Sequence, residues 1–164
     1  MSGINSLLAI GAMFIFSLIS LRFNSAVLQT TQLEVENKVY LTAFSLGDDL
    51  IEEIKPRAFD EETLVFRSIN LNQLTPSTSL GPDSGETSAS DFDDIDDFKG
   101  YSKPISLPHA EGFLVQSDIN YVQEDNFDQI SSVQTFYKRI DITVSSKYLS
   151  HPVHMHFIFT LHSK

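Results

Sequence analysis

The chain has no cysteine, and that closes off several chemistries at once. Thiol nucleophiles, zinc–thiolate centres and disulfide reinforcement are all excluded. A small domain without disulfides must be held another way: by docking onto a long helix, by a bound cation, or by packing against neighbouring copies. The absence does not identify the compartment. Basic residues are scarce as well, with 11 Lys and Arg against 22 Asp and Glu and a net charge of −11. The acidic residues concentrate between Asp48 and Asp97. Such a chain repels phosphates, so no nucleic-acid partner is expected, and the polar part is equally unsuited to an anionic membrane surface. Catalytic signatures are missing too. There is no Ser-His-Asp pattern, no P-loop and no dinucleotide glycine motif. Glu52, Glu53, Asp60, Glu61 and Glu62 supply carboxylates, but nothing in the sequence gives them a shifted pKa. The expectation is a protein that is not an enzyme.

What the chain does have begins near its start. At 164 residues there is room for one domain plus an anchor. Ile4 to Leu21 runs 18 residues without a charge, closed by Arg22. At about 1.5 Å per residue such a helix nearly crosses a hydrocarbon core of roughly 30 Å, and Phe23 extends it. A cleaved secretory signal would want a basic n-region and a shorter apolar run, and Met1-Ser2-Gly3 has no Lys or Arg. Residues 1–22 are therefore expected to stay as a transmembrane anchor. Arg22 by itself favours a cytoplasmic C-terminal side, while charge as a whole leaves the orientation open.

Proline is also absent from Phe23 to Ile54, where Gly47 is the only glycine. Leu28, Val35, Val39, Ala43, Leu46, Leu50 and Ile54 recur at helical spacing, with Glu34, Lys38, Asp48, Asp49, Glu52 and Glu53 mostly off that stripe. Lys55-Pro56 ends the pattern, because the residue before proline disfavours the α region. Anchor and amphipathic half (23–55) together predict one helix of about 50 residues, on the order of 75 Å long. The second half packs on its own domain, joins a bundle of such helices, or does both along different stretches.

Residues 56–111 read as a mixed and acidic region. Leu64, Phe66 and Ile69 suggest a short strand, and Thr75 to Ser90 a surface loop rich in Ser, Thr, Gly and Pro. From 112 to 164 the period becomes two. Phe113, Val115, Ser117, Ile119 and Tyr121 form one alternating run, Ile140, Ile142 and Val144 a second, and Val153, Met155, Phe157, Phe159 and Leu161 a third. Three such runs predict an antiparallel β-meander with its apolar face covered by the long helix, an α+β fold.

Two clusters are candidate sites. Asp91, Asp93, Asp94, Asp96 and Asp97 crowd one short segment ending at Gly100, which suits a calcium ion taking six to eight oxygens. The spacing is not that of an EF-hand, and the plainer alternative is a solvated acidic loop making Asx turns. His154, His156 and His162, with His151 just before them, could present imidazoles to zinc or copper. The simpler expectation is the outward polar face of a half-buried strand, where histidines could make association pH-dependent.

Three stretches carry a resemblance. AFSLGDDLIEEIKPRAFDE (43–61) looks like the end of the long helix of minor pilins similar to those of the mannose-sensitive haemagglutinin pilus. DFDDIDDFKGY (91–101), followed by GFLVQSDINYV (112–122) and YKRIDITVS (137–145), is similar to their aspartate-rich loop and two following strands. In order and spacing the chain thus resembles the type IV pilin family over roughly residues 43–146. The resemblance implies a long N-terminal helix under an antiparallel sheet and a minor pilin or pseudopilin role in a filament or its secretion or assembly machinery. It also implies residence in a bacterial inner membrane with the soluble domain outside the cytoplasm, and partners that are other pilin-like subunits. Leu7, Leu8, Gly11, Phe14, Leu18, Leu28, Val35 and Val39 would then pack helix on helix, with Ser6, Gly11 and Ser17 allowing close approach. Gly3 stands where the family has its cleavage glycine, ahead of Ile4, but no basic leader precedes it. The fifth residue from Ile4 is Leu8, where the family carries glutamate, so the usual charge pair with a neighbouring N-terminus is missing. The competing expectation is a membrane-tethered binding module that does not polymerise and recognises a ligand or calcium through the acidic loop, or a ligand through the histidine face.

Overall fold

The structure is a computed structural model and describes residues 2–65, 70–108 and 110–161. Its first element is a single helix, α1, Ser2–Ile54, 53 residues long. It continues through Arg22 without a break. The chain divides within this helix into two units, residues 1–39 and residues 40–164.

From residue 3 to residue 38 the helix side chains are exposed all round, with Leu7 at 73% and even Val27 and Leu18 at 45% and 48%. Hydroxyls along it are satisfied locally: Ser17, Thr30 and Thr31 donate to the carbonyls of Met13, Ala26 and Val27 four residues back. The helix is long and apolar enough to cross a membrane.

The second unit holds the core. The last turns of α1 bury Ala43, Leu50, Ile51 and Ile54, and Gly47 is buried with them. These five residues share one helix face. At Gly47 the helix backbone lies close to the sheet, since a Cβ there would overlap Met155 Cε and sit 3.2 Å from Val144 Cγ2. Glycine is thus needed for close approach rather than for conformational freedom. Helical bonding ends as Lys55 N–H donates to Ile51 O at 2.9 Å and Arg57 N–H to Ile54 O at 3.0 Å around Pro56.

The sheet has four antiparallel strands in the order β1-β2-β3-β4: Ser102–Leu107, Ala110–Tyr121, Tyr137–Ser146 and Val153–Thr160. The α+β layout of a long apolar helix and an antiparallel meander therefore stands, with one more strand than the three runs predicted. β1 was hidden in the region 56–111, read as mixed and acidic, because Pro104 breaks the pattern. An edge strand tolerates a residue without an N–H, and β1 is an edge. The alternation in β2 and β3 is clean, with Phe113, Val115, Ser117, Ile119 and Tyr121 buried on one strand and Ile140, Ile142 and Val144 on the next.

The expected strand around Leu64 is corrected. Leu64 lies half-exposed in a short helix, α2, Glu61–Val65, and Phe66 and Ile69 fall outside the described residues. Asp60 O accepts from Thr63 N–H at 2.8 Å and from the Thr63 hydroxyl at 2.6 Å, which closes the first turn. Glu61 and Glu62 in that turn suit the positive end of a helix better than they suit a strand.

Candidate functional site

The centre of the second unit is a lysine. In β3 the inward alternation does not stop at Ile140; one step back it places Lys138 inside, fully buried. A buried ammonium demands an acceptor for each of its three protons. Lys138 Nζ donates to Phe59 O at 2.6 Å, to Asp60 Oδ2 at 3.0 Å and to Asp96 Oδ1 at 2.5 Å. The rings of Phe59 and of Tyr121, its cross-strand partner on β2, stand 4.6 and 5.2 Å from the nitrogen.

Two segments deliver the carboxylates. After α1 the chain runs to Ala58, whose N–H donates to Asp93 O at 3.1 Å while its carbonyl accepts from Ile95 N–H at 3.0 Å. This short parallel bridge sets Asp60 and Asp96 on either side of Lys138. Asp60 is gripped further. Thr75 N–H donates to both its oxygens at 3.2 and 3.0 Å, and the Tyr121 hydroxyl lies 3.2 Å from Oδ2 and 2.9 Å from Thr75 O. Burial and the facing carboxylates of Asp60 and Asp96 push the Tyr121 hydroxyl far up, so it stays a donor.

The aspartate-rich segment turns inward. Asp94, Asp96 and Asp97 are buried at 3% exposure each, so the segment is neither a solvated loop nor a set of five carboxylates aimed at one point. Asp94 Oδ1 accepts from the backbone N–H of Asp96 and Asp97 at 2.8 and 3.3 Å. Asp97 Oδ2 accepts from those of Asp93 and Asp94, both at 3.1 Å. Asp96 meets Lys138. Asp91 lies apart and caps its own turn, accepting from the Ser88 hydroxyl at 2.9 Å and from Thr87 and Ser88 N–H at 3.3 and 3.1 Å, which lowers its pKa. Gly100, at φ +73°, turns the chain out of the segment into β1.

Burial beside Asp96 pushes the Asp94 carboxyl up to about 9, and burial also raises Asp96 and Asp97. With its carboxyl raised to about 9, Asp94 holds its proton at neutral pH. Among the described residues, Asp93 and Asp97 gather with Glu86, an oxygen of each of the three lying within 4.8 Å of the others. These three carboxylates could hold a metal ion, although Asp97 Oδ2 is already engaged by backbone N–H groups. Burial raises Glu86 and Glu61, and repulsion from the neighbouring carboxylates, Asp97 and Asp93 for Glu86 and Asp93 for Glu61, adds to it.

Among the described residues no three histidines form a metal-ligating group. His151, His154 and His156 are exposed, and His162 lies outside the described residues. His154 Nδ1 pairs with Thr143 Oγ1 at 3.0 Å across the strands, and His156 stands opposite Asp141. The assembly positions Leu7, Leu8, Gly11, Phe14, Leu18, Leu28 and Val35, and Gly3 and Ile4 ahead of them, are all exposed, while Val39 is half-buried.

Sequence reasoning missed Lys138, Asp60 and Tyr121 as one centre. The signal was available: a lysine in phase with Ile140, Ile142 and Val144 is an inward charge, and an inward charge implies partners. Notably, the stretches 43–61, 91–101 and 137–145 each contribute one charge to this centre, in Asp60, Asp96 and Lys138. No family model, characterised protein or solved structure matches this chain.

Proposed function

We propose that this chain is a membrane-anchored structural subunit of the minor pilin or pseudopilin kind, associating with like subunits through the N-terminal part of α1. The observation that carries the reading is the helix from Gly3 to Lys38: uncharged from Ile4 to Leu21 and exposed on every side, it leaves a large apolar surface that no other described residue covers. Lipid covers such a surface over about 20 residues, and neighbouring helices cover the rest. The C-terminal part of the same helix lies within the second unit as the buried cover of an antiparallel sheet, which supports the pilin-like reading of stretches 43–61, 112–122 and 137–145.

The absence of cysteine makes the test clean. Single cysteines placed at Leu8, Leu18, Leu28 and Val35 in the full chain, expressed in a bacterial inner membrane, should yield oxidative crosslinks to neighbouring pilin-like helices. A cysteine at Ser145 should not. Protease added to spheroplasts should digest the second unit from the outer side. A membrane-tethered module that does not polymerise would give the same protease result and no crosslink at any of the four helix positions.

A further inference from the structure

We propose that Lys138 and Asp60 form an intramolecular side-chain amide bond without an enzyme, with Asp96 relaying the protons.

The geometry is that of a reaction held at its starting point. Lys138 Nζ donates to Asp60 Oδ2 at 3.0 Å, both side chains fully buried, so the nitrogen is held against the carboxyl group whose carbon it would attack. Asp96, also buried, touches the same nitrogen from the other side. The carboxylate that would be attacked already sits in a cradle of donors, Thr75 N–H at 3.0 and 3.2 Å and the Tyr121 hydroxyl at 3.2 Å. These are the groups that stabilise negative charge on oxygen when a carbonyl carbon becomes tetrahedral. Phe59 and Tyr121 line the nitrogen with aromatic surface and keep bulk water away.

The step balances without an oxidant or cofactor. Asp96 takes one proton from the Lys138 ammonium and frees the nitrogen lone pair. The amine attacks Asp60 Cγ, and the new C–N bond places charge on the oxygens facing Thr75 and Tyr121. A second proton leaves the nitrogen as Asp96 returns the first to the departing oxygen. That oxygen carries both protons away as water, and the nitrogen keeps one hydrogen in the amide. One positive and one negative charge vanish together. This removes the desolvation cost that a fully buried ion pair otherwise bears. Burial holds the Asp96 carboxyl above its ordinary range, as a proton carrier in this place requires.

The experiment is mass spectrometry of the full chain, extracted in detergent, denatured and digested with trypsin. The expected result is the loss of one water, located in a branched peptide joining residues 58–67 to the peptide ending at Arg139, with no cleavage after Lys138. Asp96→Asn, shown by circular dichroism to be folded, should give the unbranched peptides. Folded wild-type chain that yields a free 58–67 peptide and is cut after Lys138 overturns the proposal. A water loss that maps elsewhere, including a bond from Lys138 to Asp96, overturns it equally. A branch at Asp60 that persists in Asp96→Asn refutes the relay.

Discussion

Lys138 sits where a core would normally place a branched aliphatic side chain, and its surroundings are arranged to make that tolerable. Each of its protons has an acceptor, and removing the nitrogen leaves Asp60 and Asp96 facing each other without a cation. Lys138→Met therefore should destabilise the second unit by about 3–5 kcal/mol, the usual cost of breaking one side of a buried charge cluster. Urea unfolding followed by circular dichroism reads that loss, and the direction holds whether the residues are joined by charge or by the amide proposed above. Asp94 gives a pH signature of opposite sense to the usual aspartate. Its carboxyl is raised to about 9 in the folded chain, so between about pH 4 and pH 9 the folded state holds a proton that the unfolded state has released. Stability should fall as pH rises through that window. Asp94→Asn keeps an oxygen for the Asp96 and Asp97 N–H groups and has nothing to titrate, so its melting temperature should depend less on pH and exceed that of wild type at pH 8. Thermal melts at pH 5 and pH 8 on both proteins decide this. The crowding of aspartates was legible in the sequence; its direction was not, because an acidic run looks the same whether it faces water or a buried lysine 42 residues downstream.

At the scale of elements, the regular periods carried most of the information. A helix without proline over dozens of residues and strands with a strict alternation of two leave little room for another reading, and α1, β2, β3 and β4 follow them. The failures came where a local residue overrode the period. Pro104 masked β1, and Glu61 and Glu62 turned an apolar segment into α2. Gly47 is the element-level feature with the sharpest consequence. Leucine there would gain up to about 1 kcal/mol in helix propensity but would drive its side chain into Met155 and Val144. Overpacking of this kind costs about 1–3 kcal/mol or more, so Gly47→Leu should be a net loss, read as a lower urea midpoint with unchanged slope.

For the whole molecule, the division at Val39 separates the unit that holds the core from the helix proposed above to assemble. Residues 3–38 are exposed, so deleting them removes little burial from the core formed by the rest. A fragment of residues 40–164 should be soluble without detergent and should melt cooperatively within a few degrees of the full chain. Calorimetry of the two checks it; a fragment that aggregates or melts without a transition would tie the fold to the anchor.

The proline in β1 bears on how such molecules live side by side. A strand laid along that border would meet a place with no amide hydrogen to offer, next to the charged end of Lys103. Copies crowded together by their helices, as the proposed filament would hold them, thus have one flank that resists being stitched to a neighbour. Lateral fusion of sheets into amyloid-like ribbons is discouraged where local concentration is highest, and contact between subunits is left to surfaces that can be made and undone.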